Sequence, residues 1–305
     1  MITTKENALQ DLQKEDPMIH QWSKELRADK ELMLHAVKCD GIHLYYASEA
    51  LKNDREVVLA AVSDCGRALE YASETLKGDK EVVLAAVKQN GVALAYASET
   101  LRNDKKIIFS ANELADALAF ASEALLNDRE VVLAAVSKRG EILIYASDAL
   151  KNDREIVLTA VKNDGWALQY ASATLKNDRE IVLTAVKQNG VILGHTSKTL
   201  KGDREIVLAA VRNNGNALGY ASETLKDDRE IVLTAIRNSG YALIYASDRL
   251  QADRELVLVA VKQNGLVLEY VSEEFKNDKH VVLIAIRQNP YALNYASTQL
   301  QKQFG

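Results

Sequence analysis

The chain reads as an all-α solenoid of twelve stacked 25-residue helical hairpins, elongated and curved. Three observations lead there. An aspartate recurs at Asp29, Asp54, Asp79, Asp104, Asp128, Asp153, Asp178, Asp203, Asp228, Asp253 and Asp278, every interval being 25 residues except one of 24, and a fixed period of this length is the signature of a repeat array. Each aspartate opens the same frame, as in Asp178-Arg179-Glu180-Ile181-Val182-Leu183-Thr184-Ala185-Val186, followed by a polar pair, Gly190 and a second short apolar stretch ending near a serine. Finally, a helical hairpin this small cannot bury its own apolar surface, so its stability must come from its neighbours. Composition agrees, with 48% hydrophobic and 27% charged residues and two prolines, the profile of a soluble, largely helical protein. Because the period is unbroken, residues 1–305 are expected to form a single repeat domain rather than the two domains their number suggests.

The elements follow in chain order. Thr4, Glu6, Ser23 and Leu26 fall 25 residues before Asp29, Glu31, Ser48 and Leu51, which marks residues 4–28 as a degenerate N-terminal capping unit. Gln10, Asp11, Gln13 and Lys14 stand there where other units are apolar, as expected of a terminal unit with one solvated face. Regular units fill 29–103 and 128–277. In the unit of residues 178–202, Asn177 or Asp178 suits the helix N-cap, and Asn177 with Glu180 has the capping-box spacing. Glu180 in the first turn and Lys187 in the last oppose the helix dipole. Ile181, Val182, Leu183, Ala185 and Val186 leave almost no polar face, so the helix must be enclosed by adjacent units. Gly190 is expected to supply the left-handed residue that ends it, with Asn189 tolerant of the same region.

A second helix of about two turns follows, exemplified by Gly240, Ala242, Leu243, Tyr245, Ala246 and Ser247, after which Ser247 caps a tight turn delivering Leu250. The unit of residues 104–127 is one residue short, carries Lys106 in place of Glu, and reads Asn112-Glu113-Leu114-Ala115 where its neighbours have a polar pair and glycine. Its first helix should therefore end differently or merge with the second, and the array can bend there. In the C-terminal unit, 278–302, Pro290 replaces the glycine and suits the first turn of the second helix. At about 8–10 Å per packed layer, twelve units trace a path on the order of 100 Å.

Two ladders run through this frame. Tyrosine recurs at positions 46, 71, 96, 145, 170, 220, 245, 270 and 295, with Phe120 and His195 in the same register, and is expected to form an aromatic stack along the core with its hydroxyls at the core edge. Arginine or lysine follows every frame aspartate and glutamate usually follows that, so stacked units alternate acid and base along a solvated ridge.

Several function classes are excluded on this reading. No apolar run approaches the length of a membrane span, and no apolar signal segment opens the chain. Cys39 and Cys65 lack the spacing of a disulfide framework or zinc site, which suits a reducing, cytoplasmic or intracellular setting. The net charge of -5 gives no support to bulk binding of nucleic acid or an anionic membrane. Catalysis needs a nucleophile, base or metal set that the repeat itself does not require, and none of the motifs that carry one is present. No enzyme activity, cofactor, metal or small-molecule substrate is therefore expected.

The frame Asp-Arg-Glu-Ile-Val-Leu-x-Ala-Val-x-x-x-Gly-x-Ala-Leu-x-Tyr-Ala-Ser, almost unbroken from Asp153 to Ser172, resembles the tandem helical repeat family known as domain of unknown function 4116. That family's unit of about 50 residues is similar to two of the 25-residue units here. The resemblance implies the fold and no catalytic residues, and it implies a host-facing or effector context, with delivery by a non-classical secretion route. The short second segment is also similar to leucine-rich variant repeats, which alternate an α-helix with a tighter one. The polar pair before each glycine, such as Gln188-Asn189 or Asn213-Asn214, resembles the base-reading loop of activator-type DNA-binding repeats, although only one residue after a glycine is basic.

These observations point to a non-enzymatic scaffold for protein partners. The residue after each glycine varies most, and Arg67, Glu141, Trp166, Asn216, Tyr241 and Tyr291 are the candidate contacts, with Trp166 and Tyr241 leading because aromatics dominate interface energetics. A nucleic-acid-binding array and a purely architectural spacer are the alternatives. The lack of any non-repeat segment suggests a piece of a longer protein.

Overall fold

A computed structural model describes residues 1–14 and 17–305. The chain is 75% helical and holds no strand among the described residues, the sole extended pairing being an isolated bridge between Ile2 and Trp22. The fold is an all-α repeat array. Residues Met1–Leu150 and Lys151–Gly305 each form a compact half.

Each regular unit has three helical pieces. In the Asp178 unit they are the α-helix Arg179–Gln188, the 3-10 helix Gly190–His195 and the one-turn 3-10 helix Leu200–Gly202. The α-helix begins at Asp178, whose Oδ1 accepts from the amides of Glu180 and Ile181 at 3.0 and 3.1 Å. The Asn177–Glu180 capping box is not formed. Asn177 instead accepts the hydroxyl proton of Ser197 at 2.6 Å. Ile181, Val182, Ala185 and Val186 are fully buried, two adjacent pairs one turn apart, which is how a ten-residue helix spends its apolar stripe.

Gly190 is not left-handed, because no residue among those described has a positive φ. The helix stops because Asn189 turns extended at φ -143° and caps the following 3-10 helix through the amide of Val191 at 3.2 Å. Glycine is required there for space. A Cβ on Gly190 would lie 2.2 Å from the carbonyl oxygen of Ala210, in the next unit's helix. Pro290 opens the 3-10 helix Pro290–Tyr295 at its first position, as expected. Pro290 is exposed.

Neighbouring units within each half are stitched by main-chain and side-chain bonds. The amide of Ser222 donates to the Lys201 carbonyl at 2.9 Å, and in the first half Ser73 donates to Lys52 at 2.9 Å. Within each half the first residue of several polar pairs reaches back to the preceding unit, as Gln89 does to the Gly66 amide at 2.6 Å. Gln188 accepts from the Gly165 amide at 2.9 Å and donates to the carbonyls of Val161 and Lys162 at 3.0 Å each. It thereby satisfies both the end of one helix and the start of the next piece. The serines cap the third piece, as at Ser247, whose Oγ accepts from the Leu250 amide at 3.3 Å.

The terminal and irregular units depart in instructive ways. Thr4 caps the first helix, Lys5–Asp11, and Gln10, Gln13 and Lys14 are exposed as expected. Asp11 is not solvated: it is 1% exposed and accepts from Trp22 Nε1 at 2.9 Å, the Met18 amide at 2.9 Å and Lys14 Nζ at 2.8 Å. Burial pushes its carboxyl up, but the bonds from Lys14 and Trp22 outweigh that and hold it below the usual range. In the short unit the first helix, Lys105–Ser110, stops early, the second, Leu114–Leu118, is α-helical, and the two do not merge. The amide of Asn112 donates to the Val87 carbonyl at 3.0 Å, tying the break to the preceding unit.

Candidate interaction surface

The surface is built by the six-residue 3-10 helices. Residues three apart eclipse in such a helix, so the residue after the glycine and the one three further on share an outer line, with the ladder aromatic beside them. In Gly165–Tyr170, Gly165, Ala167 and Leu168 are buried while Trp166, Gln169 and Tyr170 reach the surface. The inner positions barely change from unit to unit. The outer ones read Arg67 and Glu70, Val92 and Ala95, Glu141 and Ile144 in the first half, then Val191 and Gly194, Asn216 and Gly219, Tyr241 and Ile244 in the second.

The tyrosines are therefore not a core stack. Tyr145, Tyr220 and Tyr270 are 41%, 47% and 52% exposed, because the sixth residue of the helix falls at the rim, where the ring covers apolar surface and the hydroxyl stays wet. Within each half, rings lie over the outer line of the preceding unit. Tyr71 meets Tyr45 edge-on at 5.2 Å, and the ring of Tyr220 fills the space above Gly194, 3.0 Å from where a Cβ would be.

Each of the six candidate contacts lies on the outer side of the ladder in its own half, Arg67 and Glu141 in the first and the other four in the second, on separate rungs rather than in one pocket. Trp166 is 37% exposed and meets His195 of the next unit edge-on at 6.1 Å. Tyr241 is half-buried against Tyr270 at 6.0 Å. Asn216 is exposed and accepts from Ser239 Oγ at 3.0 Å, Glu141 pairs with Arg139, and Arg67 is exposed beside Tyr96. Tyr291, on the last rung, is 74% exposed. The candidates omitted the second outer column, including Tyr45, Ile144 and Ile244, which are 55%, 43% and 36% exposed. The spacing of three between the two variable positions was the available signal, and it is visible only once the segment is taken as a 3-10 helix.

The titratable groups on the ladder divide by location. His195 is held below its ordinary value by burial and by the nearby Lys176 and Lys201 ammoniums. Burial alone pushes Lys176 down. Tyr270 is pushed up, chiefly by the charge of Glu269.

A second periodic surface is the ridge of frame residues, which closes on itself. Within each half, frame aspartates cap their own helices with Oδ1 and receive the cation of the preceding unit on Oδ2, as Asp79 and Asp178 do. Arg154 Nε lies 2.8 Å from Asp178 Oδ2 and its other nitrogen pairs with Glu180. Arg179, Arg204 and Arg229 repeat the arrangement on the next units, as does Lys30 in the first half with Asp54 at 2.8 Å and Glu56 at 2.9 Å.

Among the described residues no three His, Cys, Asp or Glu side chains are placed to share a metal ion, and Cys39 and Cys65 are free thiols. No helix among them is long and apolar enough to cross a membrane. What the ladder offers chemically is stacking and edge contact with rings, apolar cover, and hydrogen bonding at the tyrosine hydroxyls.

The family model described as domain of unknown function (DUF4116) matches residues 8–77, 79–115, 112–151, 153–201, 203–251 and 253–301, and the chain belongs to that family. The last three matches each begin at a frame aspartate and span two units, while the matches 79–115 and 112–151 overlap within the short unit. No curated protein and no solved structure gives a significant match.

Proposed function

We propose that this member of the family is a non-enzymatic scaffold whose 3-10 ladder holds protein partners. The observation that carries the reading is the contrast between inner and outer ladder positions. Gly, Ala or another aliphatic, and Leu repeat inside, while the outer lines carry aromatics, aliphatics and charges that stacking does not require. Exposed Trp and Tyr on a rigid backbone are the residue types that dominate protein interfaces. A base-reading role loses support, because the polar pairs that would read bases are spent on the preceding unit, as at Gln188 and Asn213. A host-directed role rests on the family resemblance alone, and it would decide where the partner is met.

The test is affinity capture with the full chain and three variants. Trp166→Ala and Tyr241→Ala remove ladder rings, and Arg204→Ala removes a ridge cation. Specific partners should be lost with either ladder variant and kept with Arg204→Ala. If both ladder variants retain every partner, the surface is misassigned.

A further inference from the structure

One stretch of the ladder departs from the frame in charge as well as shape. The lysine two residues before the frame aspartate usually pairs with an acid three residues earlier: Lys52 with Glu49 at 3.0 Å, Lys77 with Glu74 and Lys226 with Glu223 at 2.8 Å, and Lys276 with Glu273 at 2.9 Å. At Lys176 that acid is Ala173, and at Lys201 it is Lys198. The consequences differ between the two. Lys201 turns its ammonium onto the Gly194 carbonyl at 2.8 Å. Lys176 is half-buried with no carboxylate partner among the described residues.

In this same stretch the ladder tyrosine becomes His195, the outer residue below it becomes Gly194, and the preceding outer residue is the half-exposed Trp166. No carboxylate lies on the ladder columns between Gly165 and Tyr220. An indole, an imidazole and three ammoniums thus share a face from which the frame's own acids have been removed. The geometry points to a binding site for a short acidic peptide segment carrying one large apolar side chain, formed by Trp166, Lys176, His195, Lys198 and Lys201. The apolar group lies against the exposed part of the Trp166 indole, which is 37% exposed, and the carboxylates meet the lysines.

The extent of the patch selects the partner. It covers about two layers, roughly 20 Å, and toward the C-terminus it is bounded by Glu223, Asp248 and Glu269. A few carboxylates in an extended peptide, whose side chains repeat on one face about every 7 Å, fit that length. A polyanion tracking further along the ladder meets like charge. This inference rests on the scaffold reading above and names the chemistry of one partner.

The test uses the full chain and a fluorescein-labelled peptide, Gly-Glu-Glu-Leu-Glu-Glu-Gly, followed by anisotropy, with the Gln-for-Glu peptide and an oligothymidylate of equal charge as comparisons. Ala173→Glu combined with Lys198→Glu restores the frame's acids at two exposed positions and leaves the fold intact by circular dichroism. The acidic peptide should bind, bind at least tenfold more weakly to that double variant and to Trp166→Ala, and weaken as salt rises. The inference fails if the Gln peptide binds equally, if the double variant binds unchanged, or if the oligothymidylate binds more tightly than the peptide. If captured partners are lost with Trp166→Ala but kept with the double variant, the scaffold reading survives and this inference alone falls.

Discussion

The ridge and the ladder are both columns of surface residues repeated every unit, and they differ in what their regularity achieves. On the ridge an aspartate such as Asp178 splits its two oxygens between a helix cap and a neighbouring cation, so both are answered within the array. On the ladder the inner positions are filled alike from unit to unit, whereas the outer ones vary and remain partly exposed even where a neighbouring ring covers them. Repetition therefore marks structure and variation marks the surface free to take on function. Substituting each side in turn should break stacking on one and leave it untouched on the other.

The largest effect belongs at the junction between units. Gly190→Ala forces a Cβ to within 2.2 Å of the Ala210 carbonyl oxygen, so the two units must move apart, at a cost of about 3 kcal/mol typical of overpacking. A thermal melt followed by circular dichroism should show a clear drop in midpoint. An unchanged midpoint would mean that the close approach is not what demands glycine. Removing a ridge group comes next. Asp178→Ala leaves the Glu180 and Ile181 amides uncapped and Arg154 without one partner, and should cost about 1–2 kcal/mol in chemical denaturation, as lost caps do. Tyr291→Ala, on the exposed last rung, should stay within about 0.5 kcal/mol by the same measurement.

Acid offers a collective version of the ridge experiment. In Asp54 the Lys30 ammonium, and in Asp79 the Val82 amide, is the leading cause that holds the carboxyl below its ordinary value. In Asp178 burial pushes the other way but is outweighed by Arg154 and the Ile181 amide. A depressed folded-state value means the contribution is fully present above the unfolded value near pH 4, about 3.9 for aspartate, and is lost as pH falls through the lower folded value. Stability should fall below about pH 4, and the slope should be shallower in Asp178→Asn. An identical acid profile in that variant would remove the ridge from the account.

Much of this was legible in the sequence, and what was hidden has specific causes. The period, the frame aspartate as a helix start and the serine turn follow from capping chemistry, which is local. The role of Gly190 was not, because a glycine after a helix suggests a left-handed cap, whereas the actual constraint is an oxygen 20 residues away that only stacking brings near. Asp11 misled for a related reason: a carboxylate in a terminal unit looks solvated until the chain folds back and delivers Trp22 to it. The tyrosines were misplaced because α-helical and 3-10 spacing put the sixth residue of the segment on different sides. The candidate residues were found in one outer column and missed in the other for the same reason. The charge anomaly at Ala173 and Lys198 was present in the letters, but its meaning depended on knowing which acid each lysine normally meets.

The one predicted gain sharpens the comparison most, because it adds a ridge-like bond where the array lacks one. At Ser73, Ser122, Ser147, Ser172, Ser197 and Ser297 the hydroxyl donates at 2.6 Å to an asparagine of the preceding unit, and its oxygen also caps the following turn. Where glycine or alanine replaces that asparagine, at Gly78, Gly202 and Ala252, the facing Ser98, Ser222 and Ser272 make no side-chain cap. The asparagine oxygen takes the hydroxyl proton and so turns a serine lone pair toward the amide. Gly202 faces Ser222 Oγ across 3.7 Å from where its Cβ would lie, and its φ is not positive, so a side chain fits without strain. Gly202→Asn should therefore form both bonds and raise stability by about 0.5–1 kcal/mol, part of it from reduced freedom of the unfolded chain. Ser48 still caps Leu51 at 3.4 Å behind Ala28, which places the expected gain toward the lower figure. Gly202→Ala separates the two contributions, since it restricts the unfolded chain equally but offers Ser222 no acceptor. If the two variants melt together, the serine–asparagine pair adds nothing, and the regular side of the array is held by packing and backbone bonds alone.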